Sequence, residues 1–160
     1  MICRIVTVAA AIMAVSGGAS AATAQGQMVS AANPSSIVQS LQATGYKADL
    51  GKDGTGDPLV SSSSSGTSFA IYFYGCTKNV ACKTVQFSAS YADGAVPLTR
   101  INEWNRTKRW GQAYTTDSGS ARVQMDVDLE QGGMTNALFT DNLEYWVATM
   151  AEFEKFVVAK

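Results

Sequence analysis

The sequence predicts an α+β domain: an antiparallel sheet of about six strands flanked by about three helices. Three observations predict it. Residues 85–91 and 122–129 alternate apolar with polar side chains, the period of a half-buried strand. Short Gly-, Asp- and Ser-containing stretches separate successive strand-like runs at hairpin distances. Three further segments, opening near Pro34, Pro97 and Thr135, place apolar residues at helical spacing. Antiparallel hairpins with helices to one side make an α+β layer. With 160 residues, 46% of them hydrophobic, the chain fits one domain with a sizeable core.

The elements follow in order. Arg4, the apolar run from Ile5 to Val15 and the small residues of Ala19-Ser20-Ala21 and Ala22-Thr23-Ala24 form the tripartite pattern of a secretory signal peptide over residues 1–24. The apolar run is too short to span about 30 Å of hydrocarbon, and no later segment does so. Cys3 precedes the run, where it cannot serve as a lipobox cysteine. Residues 25–33, rich in Gln, Gly, Ser and Ala, read as a flexible tether, leaving residues 34–160 as the domain. Asn33-Pro34 is a helix start with Asn as cap; Ile37, Val38 and Leu41 share a stripe, and Gly45 ends it. Tyr46 to Leu50 alternates as a strand, residues 51–57 turn, and Pro58 to Ser63 returns. The serine run 61–65 reads as a strand end and turn leading into the strand Phe69 to Tyr74. Val85 to Tyr91 follows. Pro97 opens a helix whose buried face carries Leu98, Ile101 and Trp104. Gln112 to Thr116 and Arg122 to Leu129 make a hairpin across Asp117-Ser118-Gly119. Thr135 caps a last helix, with Phe139, Leu143, Trp146, Val147, Met150, Phe153 and Val157 as its stripe.

Composition excludes several chemistries. There is no His, which removes the commonest general base and metal ligand. The formal charge is -1, and loss of Arg4 with the leader makes it 11 minus 13, or -2, so a generally basic nucleic-acid binder is excluded. Beyond Cys3 only Cys76 and Cys82 remain. Two cysteines across a polar loop in an exported chain read as a structural disulfide rather than a redox or zinc pair. Such a closure stabilises a fold by roughly 2–3 kcal/mol on the chain-entropy argument.

A family resemblance emerges from an ordered set of motifs. Phe69-Ala-Ile-Tyr-Phe-Tyr-Gly-Cys76, Ile101-Asn-Glu-Trp-Asn-Arg106, Arg109-Trp-Gly-Gln-Ala-Tyr114 and Met125-Asp-Val-Asp-Leu-Glu-Gln-Gly-Gly133 together resemble the YbjN domain family. Asn102, Trp104, Asn105, Trp110, Ala113, Tyr114 and Gly132-Gly133 match in order and spacing, over about residues 30 to 158. The resemblance implies a fold similar to type III secretion chaperones. Its members are labelled sensory-transduction regulators, and it supplies no catalytic residues to carry over. The signal peptide and the cysteine pair depart from cytoplasmic members and point to a periplasmic or secreted protein.

Candidate chemistries can be weighed residue by residue. Asp126, Asp128 and Glu130 share one strand face and could hold a hard cation; a solvated polar face explains them more simply. Asp53-Gly54 is a turn dipeptide rather than part of a calcium loop. Arg100, Arg106, Lys108 and Arg109, with Trp104 and Trp110 nearby, could meet an anionic or nucleic-acid ligand; a solvated surface near a helix C-terminus explains them more simply. Trp104 belongs to the core; Asn102 and Asn105 either pin their helix to strand carbonyls, the favoured reading, or contact a ligand. Trp110 and Tyr114 complete this structural motif. On Phe69 to Tyr74, alternation sends Phe69, Ile71 and Phe73 to the core and Tyr72 and Tyr74 to the opposite face, with Tyr91 as a third candidate there. The expectation is an exported, non-catalytic protein-binding or chaperone-like module without a cofactor, its partner an unknown protein or a second copy. The alternatives are a small envelope hydrolase or transferase working through carboxylates such as Glu103 and Asp126, and a small-ligand-binding protein.

Overall fold

A computed structural model describes residues 26–91 and 96–158; the leader read at residues 1–24 lies outside them. The elements run β1 (Met28–Val29), α1 (Pro34–Ala43), β2 (Ala48–Lys52), β3 (Pro58–Ser64), β4 (Thr67–Tyr74), β5 (Thr84–Tyr91), α2 (Leu98–Thr107), β6 (Gln112–Thr115), β7 (Ala121–Asp128), β8 (Met134–Thr135) and α3 (Asn136–Val158). Six strands form an antiparallel sheet in the order β2-β3-β4-β5-β7-β6, and β1 pairs with β8 as a separate two-stranded sheet. The α+β class and the expected order of the larger elements are what the structure shows.

Local chemistry sets the joints. Ser65 and Gly66 form a two-residue loop between β3 and β4, with φ of +50° and +88°. Positive φ at both positions is the turn whose twist matches a tight hairpin, so the serine run is strand end and turn. Asp53 accepts hydrogen bonds from the backbone N–H groups of Thr55 and Asp57 and from the Thr55 hydroxyl, fixing the β2–β3 turn. That Thr55 bond holds the Asp53 carboxyl below its ordinary value. Thr135 Oγ1 accepts from Leu138 N–H at 3.3 Å, as a cap for α3 should.

The core lies between the helices and one sheet face. Phe69, Ile71 and Phe73 of β4, Val85, Phe87 and Ala89 of β5, and Val123, Met125 and Val127 of β7 point into it. They meet Ile37 and Leu41 of α1, Ile101 and Trp104 of α2, and Phe139, Leu143, Trp146, Met150 and Phe153 of α3. Phe87 packs on both Phe139 and Trp146, with ring centroids 6.0 and 5.7 Å apart. Trp104 is fully buried against Phe153 and donates its indole N–H to Gly111 O at 2.9 Å. Among the described residues, no helix covers the opposite face of the sheet.

Four expectations need correction. The tether assigned to residues 25–33 is partly built into the fold: Met28 and Val29 pair with Thr135 and Met134, and Val29 and Ala31 are buried. Leu98 is 67% exposed, because the core stripe of α2 begins only at Ile101. The second strand spans Ala48–Lys52, since Tyr46 N–H is still bound to Leu41 O at the end of α1. Asn33 does not cap α1 through its side chain; its carbonyl accepts from Ser36 N–H and Oγ instead.

Candidate functional site

Alternation along four strands assembles the helix-free face. β4 contributes Ser68, Ala70, Tyr72 and Tyr74; β5 contributes Thr84, Gln86, Ser88 and Ser90; β7 contributes Arg122, Gln124 and Asp126; β6 contributes Gln112 and Tyr114. The register arranges them in rows across the sheet. One row runs Leu59, Tyr72, Gln86, Asp126. The next runs Ser61, Ala70, Ser88, Gln124, Gln112. A third contains Ser90, Arg122 and Tyr114. At β4 and β5 the middle row is low, with Ala70 and Ser88, and the face holds an open depression of about 520 Å³ whose lining includes Tyr72, Tyr74, Gln86, Tyr114, Arg122 and Asp126.

Hydrogen bonds order the outer rows. Tyr74 OH lies 3.4 Å from Gln86 Oε1, and Gln86 Nε2 donates to Asp126 Oδ1 at 2.9 Å. Arg122 Nε donates to Ser90 Oγ at 2.8 Å, and Nη1 reaches Tyr114 OH at 3.5 Å. Among the described residues, the ion pairs are Lys47–Asp49, Lys83–Glu130 and Lys108–Glu152, so neither Arg122 nor Asp126 is engaged in one. Partial burial, with the nearby Tyr72 and Asp126, raises the Tyr74 phenol above its ordinary value, so it is a neutral donor at physiological pH.

Tyr72 and Tyr74 therefore sit on the face where alternation places them. Tyr91 does not. It shares the parity of Val85, Phe87 and Ala89, stacks edge-on against Phe153 and donates its hydroxyl to Met150 O at 2.9 Å. Burial pushes its phenol well above the ordinary range.

Most of the remaining candidates have local partners. Asn105 is the pin: Nδ2 donates to Ala113 O at 3.0 Å and Oδ1 accepts from Ala113 N–H at 2.8 Å, so one amide spans the outer edge of β6. Asn102 is exposed and takes no part in this pair. Trp110 is 39% exposed and stacks on Tyr145 at 4.9 Å. Asp128 accepts from Glu130 N–H, and Glu130 pairs with Lys83 at 2.7 Å, so Asp126, Asp128 and Glu130 do not form a cation-holding cluster among the described residues. Lys108 pairs with Glu152, Arg109 lies over Trp110, and Arg100 lies over Phe156 while donating to its carbonyl.

The Cys76 and Cys82 sulfurs are bonded, closing the β4–β5 loop with Cα atoms 3.8 Å apart. The loop does a second job the sequence did not disclose. Asn79, at its tip, donates from Nδ2 to Asp57 Oδ1 at 2.8 Å and to Thr55 O at 3.2 Å. It thereby ties the β4–β5 loop to the β2–β3 turn. The spacing of two polar loops more than twenty residues apart carries no signal of such contact.

No curated protein matches the chain. A family model does: YbjN, described as "Putative bacterial sensory transduction regulator", matches residues 33–158. That interval takes in the whole six-stranded sheet, all three helices, the cysteine loop and the Asn105 clasp. With most of its length matched, the chain belongs to the YbjN family.

Proposed function

We propose that this protein is an exported, non-catalytic binding module that presents the helix-free face of its sheet to a protein partner. The composition of that face carries the reading. Three tyrosines and an arginine stand among serines and glutamines, the mixture that gives large amphipathic contacts with adaptable hydrogen bonding. Tyrosine and arginine are also the residues most enriched where protein interfaces concentrate their affinity. Asp126, Asp128 and Glu130 each engage a local partner instead of facing one another. A bonded cysteine pair is compatible with an oxidising compartment and supports export alongside the leader pattern.

The test replaces Tyr72, which is half-buried in the outer row. Tyr72→Ser is expected to leave the melting curve within about 2 °C of the parent, because Tyr72 faces away from the core. Capture of envelope proteins by the variant is expected to fall by about tenfold. N-terminal sequencing of the same envelope preparation is expected to read from near Gln25. Unaltered capture, or a cytoplasmic chain still beginning at Met1, overturns the corresponding half of the proposal.

A further inference from the structure

We infer that the partner of this face is a second copy of the same chain, docked face to face about a two-fold axis that crosses β7 at Gln124. The inference rests on the open-face reading above and names its occupant. Two independent patterns on the face are self-complementary under that one operation.

The first pattern is charge. Arg122 and Asp126 lie on the same strand, two residues to either side of Gln124. Successive same-face residues are about 6.6 Å apart along a strand. A two-fold axis lying between two stacked faces, perpendicular to β7, reverses the strand direction and keeps each strand over its own copy. Arg122 of one chain then stands over Asp126 of the other, twice. Within one chain the two side chains are about 13 Å apart and do not pair with each other. Like charges directly opposed cost affinity, so this register is selected against its alternatives. An axis parallel to β7, for instance, would set Arg122 against Arg122.

The second pattern is volume. The axis follows the middle row, where Ala70 and Ser88 are small and Ser88 is only 6% exposed beside Gln86 and Gln124. On β4, Tyr72 and Ser68 lie to either side of Ala70; on β5, Gln86 and Ser90 lie to either side of Ser88. The same rotation places Tyr72 over Ser68 and Gln86 over Ser90. Tyr72 and Gln86 each meet a small side chain, the arrangement that lets two packed layers interdigitate, while Gln124 and Gln112 lie along the axis and meet their own copies. The sheet is six strands wide, so the face measures on the order of 500 Å² in projection, which fits a reversible rather than an obligate dimer.

The experiment uses the chain from Gln25 onward, which retains β1 and every other described element. Sedimentation equilibrium from about 1 to 300 µM covers the affinity range of such an interface. The parent is expected to dimerise. Arg122→Asp and Asp126→Arg each oppose like charges twice and are expected to lose self-association by about tenfold or more. Mixed one to one, the two variants restore both ion pairs and are expected to form a heterodimer. The double variant Arg122→Asp/Asp126→Arg is expected to dimerise with itself and to reject the parent. Far-UV circular dichroism and melting curves establish that each variant is folded; should a charge reversal unfold the chain, Arg122→Gln and Asp126→Asn are expected to weaken self-association without repulsion. A monomeric parent, unweakened variants, or folded variants whose mixture fails to associate each overturn the inference. A monomeric parent whose envelope capture still depends on Tyr72 removes the second copy and leaves the open-face reading standing; loss of both removes both.

Discussion

The Tyr91 hydroxyl shows how one atom decides a residue's role. Its bond to Met150 O, midway along α3, fastens the end of β5 to the helix layer. Tyr91→Phe removes that bond while keeping the ring against Phe153, and is expected to cost about 1 kcal/mol at neutral pH by chemical denaturation. The alkaline limb is a sharper test. The folded state raises the Tyr91 pKa above its ordinary value of 10.0, chiefly through burial. A raised acid favours its neutral form in the fold, so its contribution is intact below pH 10.0 and is lost as pH climbs above it. The melting temperature of the parent is therefore expected to fall more steeply above pH 10.0 than that of Tyr91→Phe, and parallel limbs would contradict the assignment. The placement was legible in the sequence, because Tyr91 continues the alternation of Val85, Phe87 and Ala89. Reading tyrosine as a surface residue overrode that parity. A phenol buried with a carbonyl partner is as stable as an aliphatic side chain, and the partner lies far away in sequence.

At the scale of elements, β6 is the instructive case. It is a four-residue edge strand, and an unguarded edge offers N–H and C=O groups to any passing strand. Asn105 occupies both outward groups of Ala113, acting as a one-residue surrogate for the missing neighbour. Asn105→Ala is expected to cost about 1–3 kcal/mol and to make the protein associate through the freed edge, read by denaturation and light scattering. Asn105→Asp keeps the acceptor for Ala113 N–H but turns an oxygen toward Ala113 O, so it should recover at most part of the loss. A variant Asn105→Ala as stable and as monodisperse as the parent would show that the clasp is incidental. Pinning through asparagine was readable from two poor helix formers placed beside a core tryptophan; which of Asn102 and Asn105 does it was not, because that depends on the angle at which α2 meets the sheet. Leu98 failed for a related reason. Helical spacing identifies a stripe but not where along the helix the sheet ends.

For the molecule as a whole, the question is where folding begins along the chain. Composition marked residues 25–33 as a tether, since Gln, Gly, Ser and Ala show no strand or helix period. Yet β1 pairs with β8, Val29 and Ala31 are buried, Asn136 N–H binds Gln27 O, and Ser30 N–H binds Ser36 Oγ. A two-residue strand is too short to carry periodicity; it exists because Gly133 leaves room for it. A Cβ at Gly133 would collide with the Val29 carbonyl oxygen, and its φ of +89° already disfavours any side chain. Removing residues up to Asn33 exposes the core that Val29 and Ala31 cover and is expected to cost about 2–4 kcal/mol, or about 10 °C in melting temperature. Removing residues only up to Ala24 is expected to cost nothing measurable, because the sequence reads them as a cleavable leader rather than part of the domain. Gly133→Ala should reproduce the larger loss in the longer chain by driving β1 off its site. In the chain already lacking residues up to Asn33 the collision is absent, and the same substitution should retain only the left-handed backbone penalty of about 1–2 kcal/mol. The two changes are thus expected to be strongly non-additive. Additive losses would mean that Gly133 acts through its own turn alone and that β1 contributes to the core by some route other than its pairing with β8.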